Sequence, residues 1–222
     1  MSKTERLMAL AEKRKKSKPI GCKNVHEFQG GKFDTQPNVS PWTNSAKNVD
    51  SELMLIGQDW ASASWLNDPI NLKYADLGRN PNLQTNKNID KYLKLFGLAF
   101  KDIYATNAFV FIKDGGMSSS IANKLFNECV LDYTLPQIEI VKPKMAICLG
   151  AKTLNAVRVA INSKPIKISD GHVNFAEYCG VKIFGAYHTG GMGTANAGGN
   201  ENAEYQWKQL VIEYQKLKDK NG

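Results

Sequence analysis

Three polar clusters, each at or beside an apolar run, carry residue types able to make and break bonds. The first, Gly57-Gln58-Asp59-Trp60-Ala61, sets an amide, a carboxylate and an aromatic directly after a glycine. A carboxylate so placed stabilises a developing cation or orients a water. The second is Asn107, inside the apolar run 103–111. A buried amide must find hydrogen-bond partners or cost a few kcal/mol, and either nearby backbone or a ligand edge would satisfy it. The third is Tyr187-His188-Thr189-Gly190-Gly191-Met192-Gly193, where one of three histidines leads a glycine-rich stretch. Glycines let backbone approach a ligand closely, although a histidine alone in a loop is commonly just hydrogen-bonded there.

Other chemistries lack their signatures. Residues 190–199 contain no Gly-Lys-Ser/Thr ending, and Asn196 stands where the last glycine of a GxGxxG would fall, which argues against nucleoside-triphosphate and dinucleotide loops. Cys22, Cys129, Cys148 and Cys179 are far apart with no Cys-x-x-Cys pair, so neither zinc nor a disulfide framework is signalled, and reduced, mostly buried thiols are expected. No metal and no cofactor is expected.

The elements that must position these clusters follow from periodicity. Four apolar runs of strand length occur at 53–57, 103–111, 145–150 and 181–187. Between the second and third, residues 118–143 put Ile121, Leu125 and Cys129 on one helical face, with Ser118, Ser119 and Ser120 as candidate caps. Further helices are expected at 151–162 and 201–218. Strands alternating with helices imply an α/β fold, a three-layer α/β/α arrangement around a mostly parallel four-stranded sheet. In such sheets ligands bind beyond the carboxyl ends of the strands, where the three clusters lie.

Ahead of this core, residues 3–16 place Leu7, Leu10 and Ala11 at helical spacing among many cations, reading as a short amphipathic helix or a solvated basic arm. Residues 20–50 turn loop-like, with Phe28, Phe33 and Trp42 as anchors. The organisation expected is a 1–50 extension packed on a 51–222 catalytic domain. Twenty-nine Lys and Arg against twenty-one Asp and Glu leave a formal charge of +8, which favours a polyanionic partner without requiring one. No stretch approaches the ~20 apolar residues that span a bilayer, and no signal peptide opens the chain, so a cytoplasmic monomer without membrane contact is expected.

Taken in order, the Gly-Gln-Asp turn, the Thr106-Asn107 pair, the segment Lys142 to Ala151 around the third strand, and the His188 loop resemble the uracil-DNA glycosylase superfamily over roughly residues 50–215. The resemblance implies a base-flipping enzyme that acts on DNA, because a glycosidic bond within stacked duplex is unreachable until the nucleotide rotates out. It implies Asp59 and His188 as catalytic residues, the first serving the cationic sugar and its water, the second bonding O2 of the departing base. Gly57, Gln58, Trp60 and Ala61 would line the base pocket, and Asn107 would read the pyrimidine edge. Met192 would be the apolar wedge in the minor groove, flanked by Gly190 and Gly191, with Lys113, Ser118 and Ser119 at phosphates.

Departures from the pattern carry expectations too. Ala61 stands where uracil-specific members carry an aromatic, so the pocket is expected to be wider at C5 and a bulky modified pyrimidine, such as a glucosylated hydroxymethylcytosine, is a candidate beside uracil. Residues 74–89 contain no phenylalanine to stack on the base, leaving Tyr74 or an amide plane. The cysteine positions fit no iron-sulfur cluster. Two other classes remain: a non-catalytic DNA-binding module of the same fold, and an enzyme acting on a small nucleotide. The trio Asp59, Asn107 and His188 disfavours the first, and the basic N-terminal segment disfavours the second.

Overall fold

The computed structural model describes residues 1–219; Lys220 to Gly222, the end of the expected 51–222 domain, lie outside the described residues. The four expected strands all form: β2 (Leu53–Asp59), β3 (Tyr104–Phe109), β5 (Met145–Leu149) and β7 (Val181–Ala186) are parallel neighbours. The sheet has five strands and not four, in the order β3-β2-β5-β7-β6. The addition is β6 (Ala176–Tyr178), an antiparallel edge whose three residues are too few to show alternation. Two further two-residue strands, β1 (Cys22–Lys23) and β4 (Ile112–Lys113), pair antiparallel beside the main sheet.

Side chains alternating across the central strands define two cores. Met54 and Ile56 of β2 point to one face with Ala146 and Cys148 of β5, beneath α1 (Lys3–Lys16), α4 (Asn123–Cys129), α5 (Leu135–Val141) and α6 (Ala151–Ala160). Leu53 and Leu55 point to the other with Met145 and Ile147, beneath α3 (Gln84–Leu95) and α8 (Asn200–Asp219). Both faces are therefore covered, and the fold is a three-layer α/β/α sandwich. Two short helices complete it, α2 (Ala63–Asn67) and α7 (Gly191–Asn196).

The helix expected across 118–143 begins later and is not regular. Its first residue is Asn123 and the preceding Ala122 gives no side-chain cap; Ser119 Oγ instead accepts from Gly116 N at 3.0 Å, holding a turn upstream. Between α4 and α5 a π-helical turn, Val130–Thr134, precedes Pro136. Proline has no N–H to return to the preceding turn, and the wider turn absorbs the mismatch.

The N-terminal helix is part of the core, not a free arm. Ser2 and Glu5 form a reciprocal cap at its start, with Glu5 N to Ser2 Oγ at 3.2 Å and Ser2 N to Glu5 Oε2 at 2.7 Å. Leu7, Ala11 and Arg14 are buried on one face. Arg14 is fully enclosed and bonds Asp34 through both terminal nitrogens, at 2.7 and 2.6 Å, while also donating to Asn24 Oδ1 and the Asn38 carbonyl. That bidentate pair clamps the loop-rich 20–50 segment onto the helix.

Candidate active site

Parallel pairing puts the three clusters at one end of the sheet. Gly57 of β2 stands opposite Asn107 of β3, Asp59 closes β2, and His188 follows β7 by two residues. A cavity of about 400 Å³ opens there, with Gly57, Gln58, Asp59, Trp60, Asn107 and His188 all on its wall. That volume falls in the range of small-molecule sites and exceeds what a bare pyrimidine fills.

At Asn107 the close packing of β2 and β3 demands glycine across the strand. A Cβ on Gly57 would stand 2.7 Å from Asn107 Nδ2 and 3.1 Å from the Trp42 ring. Asn107 Oδ1 accepts from Ser40 Oγ at 2.6 Å, which leaves its NH₂ for another acceptor. A hydroxyl both donates and accepts, so the same seat serves the amide turned over.

Asp59 is nearly enclosed, its side chain 8% exposed. Gln58 Nε2 donates to Oδ1 at 2.9 Å, while Oδ2 lies 2.7 Å from Lys113 Nζ. The second contact is an ion pair by distance without the alignment of a hydrogen bond, and Oδ2 has no other partner. Lys113, expected at a phosphate, is therefore turned inward: its side chain is 5% exposed, and Nζ also donates to the Met117 carbonyl at 2.5 Å. A lysine already ion-paired with a carboxylate and hydrogen-bonded to a carbonyl inside the fold is poorly placed to meet a DNA backbone. Lys152 of α6 approaches the same pair; burial pulls its ammonium down, Asp59 opposes this, and Lys113 adds to it.

His188 is fixed by its own loop. Gly190 N donates to His188 Nδ1 at 3.0 Å, so Nδ1 is an acceptor and the neutral ring carries its proton on Nε2. The ring stays open to the cavity mouth, yet the protein packed around it pulls its pKa below the usual histidine value, against the upward pull of Asp59. The loop is held from two sides, by Asn88 Nδ2 of α3 on the Thr189 carbonyl at 2.7 Å and by Gln206 Oε1 of α8 accepting from Tyr187 N at 2.8 Å. Gly193 packs so closely on this backbone that a Cβ there would stand 1.8 Å from the His188 oxygen.

The remaining expected residues divide. Met192 is 81% exposed at the start of α7, just beyond His188, with Gly190 and Gly191 beside it. Ser118 and Ser120 are exposed on the loop before α4, and Ser119 is half-buried with its hydroxyl on the Gly116 amide. Ala61 is buried in a satellite cluster with Phe33, Leu66 and Ile112, off the cavity wall, because the chain bends at Trp60 and turns its methyl inward. Tyr74 is not on the wall either.

Sequence reasoning gave Trp42 only as an anchor of the loop-rich segment and passed over Trp65, Arg79, Asn80, Asn86 and Met117, all on the wall. A signal existed for two of them: three of the four tryptophans fall within residues 42–65. Arg79 and Asn80 lie in irregular backbone, and Asn86 sits in the first turn of α3, where neighbouring asparagines and lysines blur the period. Among the described residues no group of three or more His, Cys, Asp or Glu is arranged to hold a metal ion, and no helix is long and apolar enough to cross a membrane. The four cysteines are free; burial pushes the Cys129 and Cys148 thiols up to about 12, while Cys179 is exposed. Searched against protein-family models and against curated proteins, the chain matches none of either, and the assignment of a function rests on its own residues.

Proposed function

We propose that this chain is a DNA glycosylase, similar to the uracil-DNA glycosylase superfamily, that flips a pyrimidine out of DNA and hydrolyses its N-glycosidic bond to leave an abasic site. The observation that carries the reading is the convergence of Asp59 from β2, Asn107 from β3 and His188 from the loop after β7 on one cavity of about 400 Å³. A module that only bound DNA would have no use for a carboxylate, an amide and a neutral imidazole in one recess.

The chemistry divides among them. As the C1'–N bond breaks, its electron pair leaves with the base and positive charge grows on the sugar. Asp59 faces that charge and orients the water whose oxygen bonds to C1', the proton that this water sheds being the one that neutralises the departed base anion. His188 Nε2–H donates to the base oxygen that becomes negative, and its neutrality suits it to stabilise an anion without first surrendering a proton. Asn107 pairs with the edge of the pyrimidine. Met192, exposed beyond His188, fills the gap left in the stack.

The base is uracil or a pyrimidine with a bulky group at C5. The volume leaves room for the second, and the wall carries Arg79, Asn80, Gln84 and Asn86 among mostly apolar neighbours. The test uses end-labelled oligonucleotides carrying uracil, 5-hydroxymethyluracil or glucosylated hydroxymethylcytosine, treated with the protein or with Asp59→Asn and then with alkali. Strand breaks at one base, reduced roughly a hundredfold or more in the variant, are expected. Intact strands throughout, with DNA still bound, would leave a non-catalytic module.

A further inference from the structure

We propose that Lys113 is a positioning residue for Asp59, holding the carboxylate in the geometry that orients the attacking water. This rests on the glycosylase reading and adds to it a residue whose side chain is turned from solvent. Lys113 is fixed at its base, because β4 pairs it with Cys22 of β1 and a bridge joins it to Ser62. At its tip, Nζ meets Asp59 Oδ2 at 2.7 Å and the Met117 carbonyl at 2.5 Å. Gln58 Nε2 holds the other carboxylate oxygen at 2.9 Å, so both oxygens are tethered before any substrate arrives.

The pairing decides between two roles for Asp59. An ammonium touching a carboxylate leaves little more than a dipole for a third charge to feel, so Asp59 is a weakened counter-charge for a cationic sugar. What the pair keeps intact is direction: an acceptor locked in place at the cavity wall, where misplacement by an ångström costs about a hundredfold. Lys113 also ties this acceptor to the carbonyl of Met117, another residue of the cavity wall.

The sign of one substitution separates the roles. If Lys113 positions Asp59, Lys113→Met lowers the single-turnover excision rate about tenfold to a hundredfold, leaves the Kd for the same oligonucleotide unchanged, and Lys113→Arg recovers part of the rate. If Lys113 only attenuates a counter-charge, Lys113→Met is as fast as the wild type or faster, and the proposal is overturned while the glycosylase reading stands. Loss of rate together with loss of binding and a collapsed melting transition would make Lys113 merely structural and also overturn it. Removing one partner strands a buried charge, so the double variant Asp59→Asn/Lys113→Met should melt above Asp59→Asn alone; a lower midpoint would contradict the pair itself. A wild type inactive on every modified oligonucleotide removes both readings at once.

Discussion

Replacing Gly193 with alanine tests whether the His188 loop is held in a working geometry. The new methyl would lie 1.8 Å from the His188 carbonyl oxygen and 2.8 Å from its Cβ, where at least 3.0 Å is needed, so the loop or α7 must yield by about 1.2 Å. The obstruction at its shortest is backbone, which cannot rotate aside as a side chain would. The His188 ring is tied to this segment by the Gly190 N–H on Nδ1, so the displacement reaches Nε2. A misplacement of this size costs a catalytic group roughly a hundredfold in rate. The assay is single-turnover excision from a labelled oligonucleotide, with binding measured on the same DNA and Gly116→Ala as the matched control, since nothing lies within 4 Å of a Cβ there. The expected result is a slow Gly193→Ala enzyme that still binds and a control close to wild type. A Gly193→Ala enzyme as fast as the control would show that His188 does not depend on this loop, and the assigned role would fall with it.

Acidification should act through the same histidine. Burial lowers the His188 pKa below 6.5, so the ring stays neutral down to a pH under the ordinary histidine value, despite the facing carboxylate of Asp59. Protonation would set an Nδ1–H against the Gly190 N–H; excision therefore holds across neutral pH and declines only below about 6.5, and a midpoint at or above 7 in a rate–pH profile would contradict this. The same linkage makes this group's contribution to stability complete above the unfolded value and lost as pH falls through the lower folded one. In the loop-rich segment, Asp34→Ala leaves the enclosed Arg14 guanidinium without its carboxylate, and urea unfolding should report a loss of about 3–5 kcal/mol. A loss under about 1 kcal/mol would place Arg14 in contact with water after all.

The parallel strands were legible because each is buried on both faces and reads as an unbroken apolar run. Asp59 and His188 stood out as polar residues just past such runs and Asn107 as a polar interruption inside one, on the side of an open sheet where ligands concentrate. What escaped depends on contacts distant in sequence. The inward turn of Lys113 follows from its strand pairing with Cys22 and the nearness of Asp59, neither visible in a local window. Helix α3 was readable in Ile89, Leu93 and Phe96, spaced at four and three residues, yet asparagines and lysines dilute the pattern and its burial comes from α8, where Tyr92 stacks on Trp207 at 4.9 Å. The N-terminal segment read two ways: its lysines suggest a solvated arm, while the spacing of Leu7 and Ala11 suggests the amphipathic helix that forms, with Arg14 buried on the same face. Deleting residues 1–19 therefore removes packing along with charge and cannot isolate the role of the charge.

The margins of the sheet bear on how two copies of the chain would meet. Along β3, the Ala46 carbonyl accepts from Ala105 N at 2.9 Å and Thr43 Oγ1 donates to the Ala105 carbonyl at 2.7 Å, so a loop occupies the backbone groups that a visiting strand would seek. The opposite margin is β6, three residues long, with exposed Glu177 set against Lys182. A short charged rim and a capped one offer poor templates for strand addition. Crowding the protein at high concentration should therefore not recruit its sheet into intermolecular ladders, and contacts between copies are left to the helical layers.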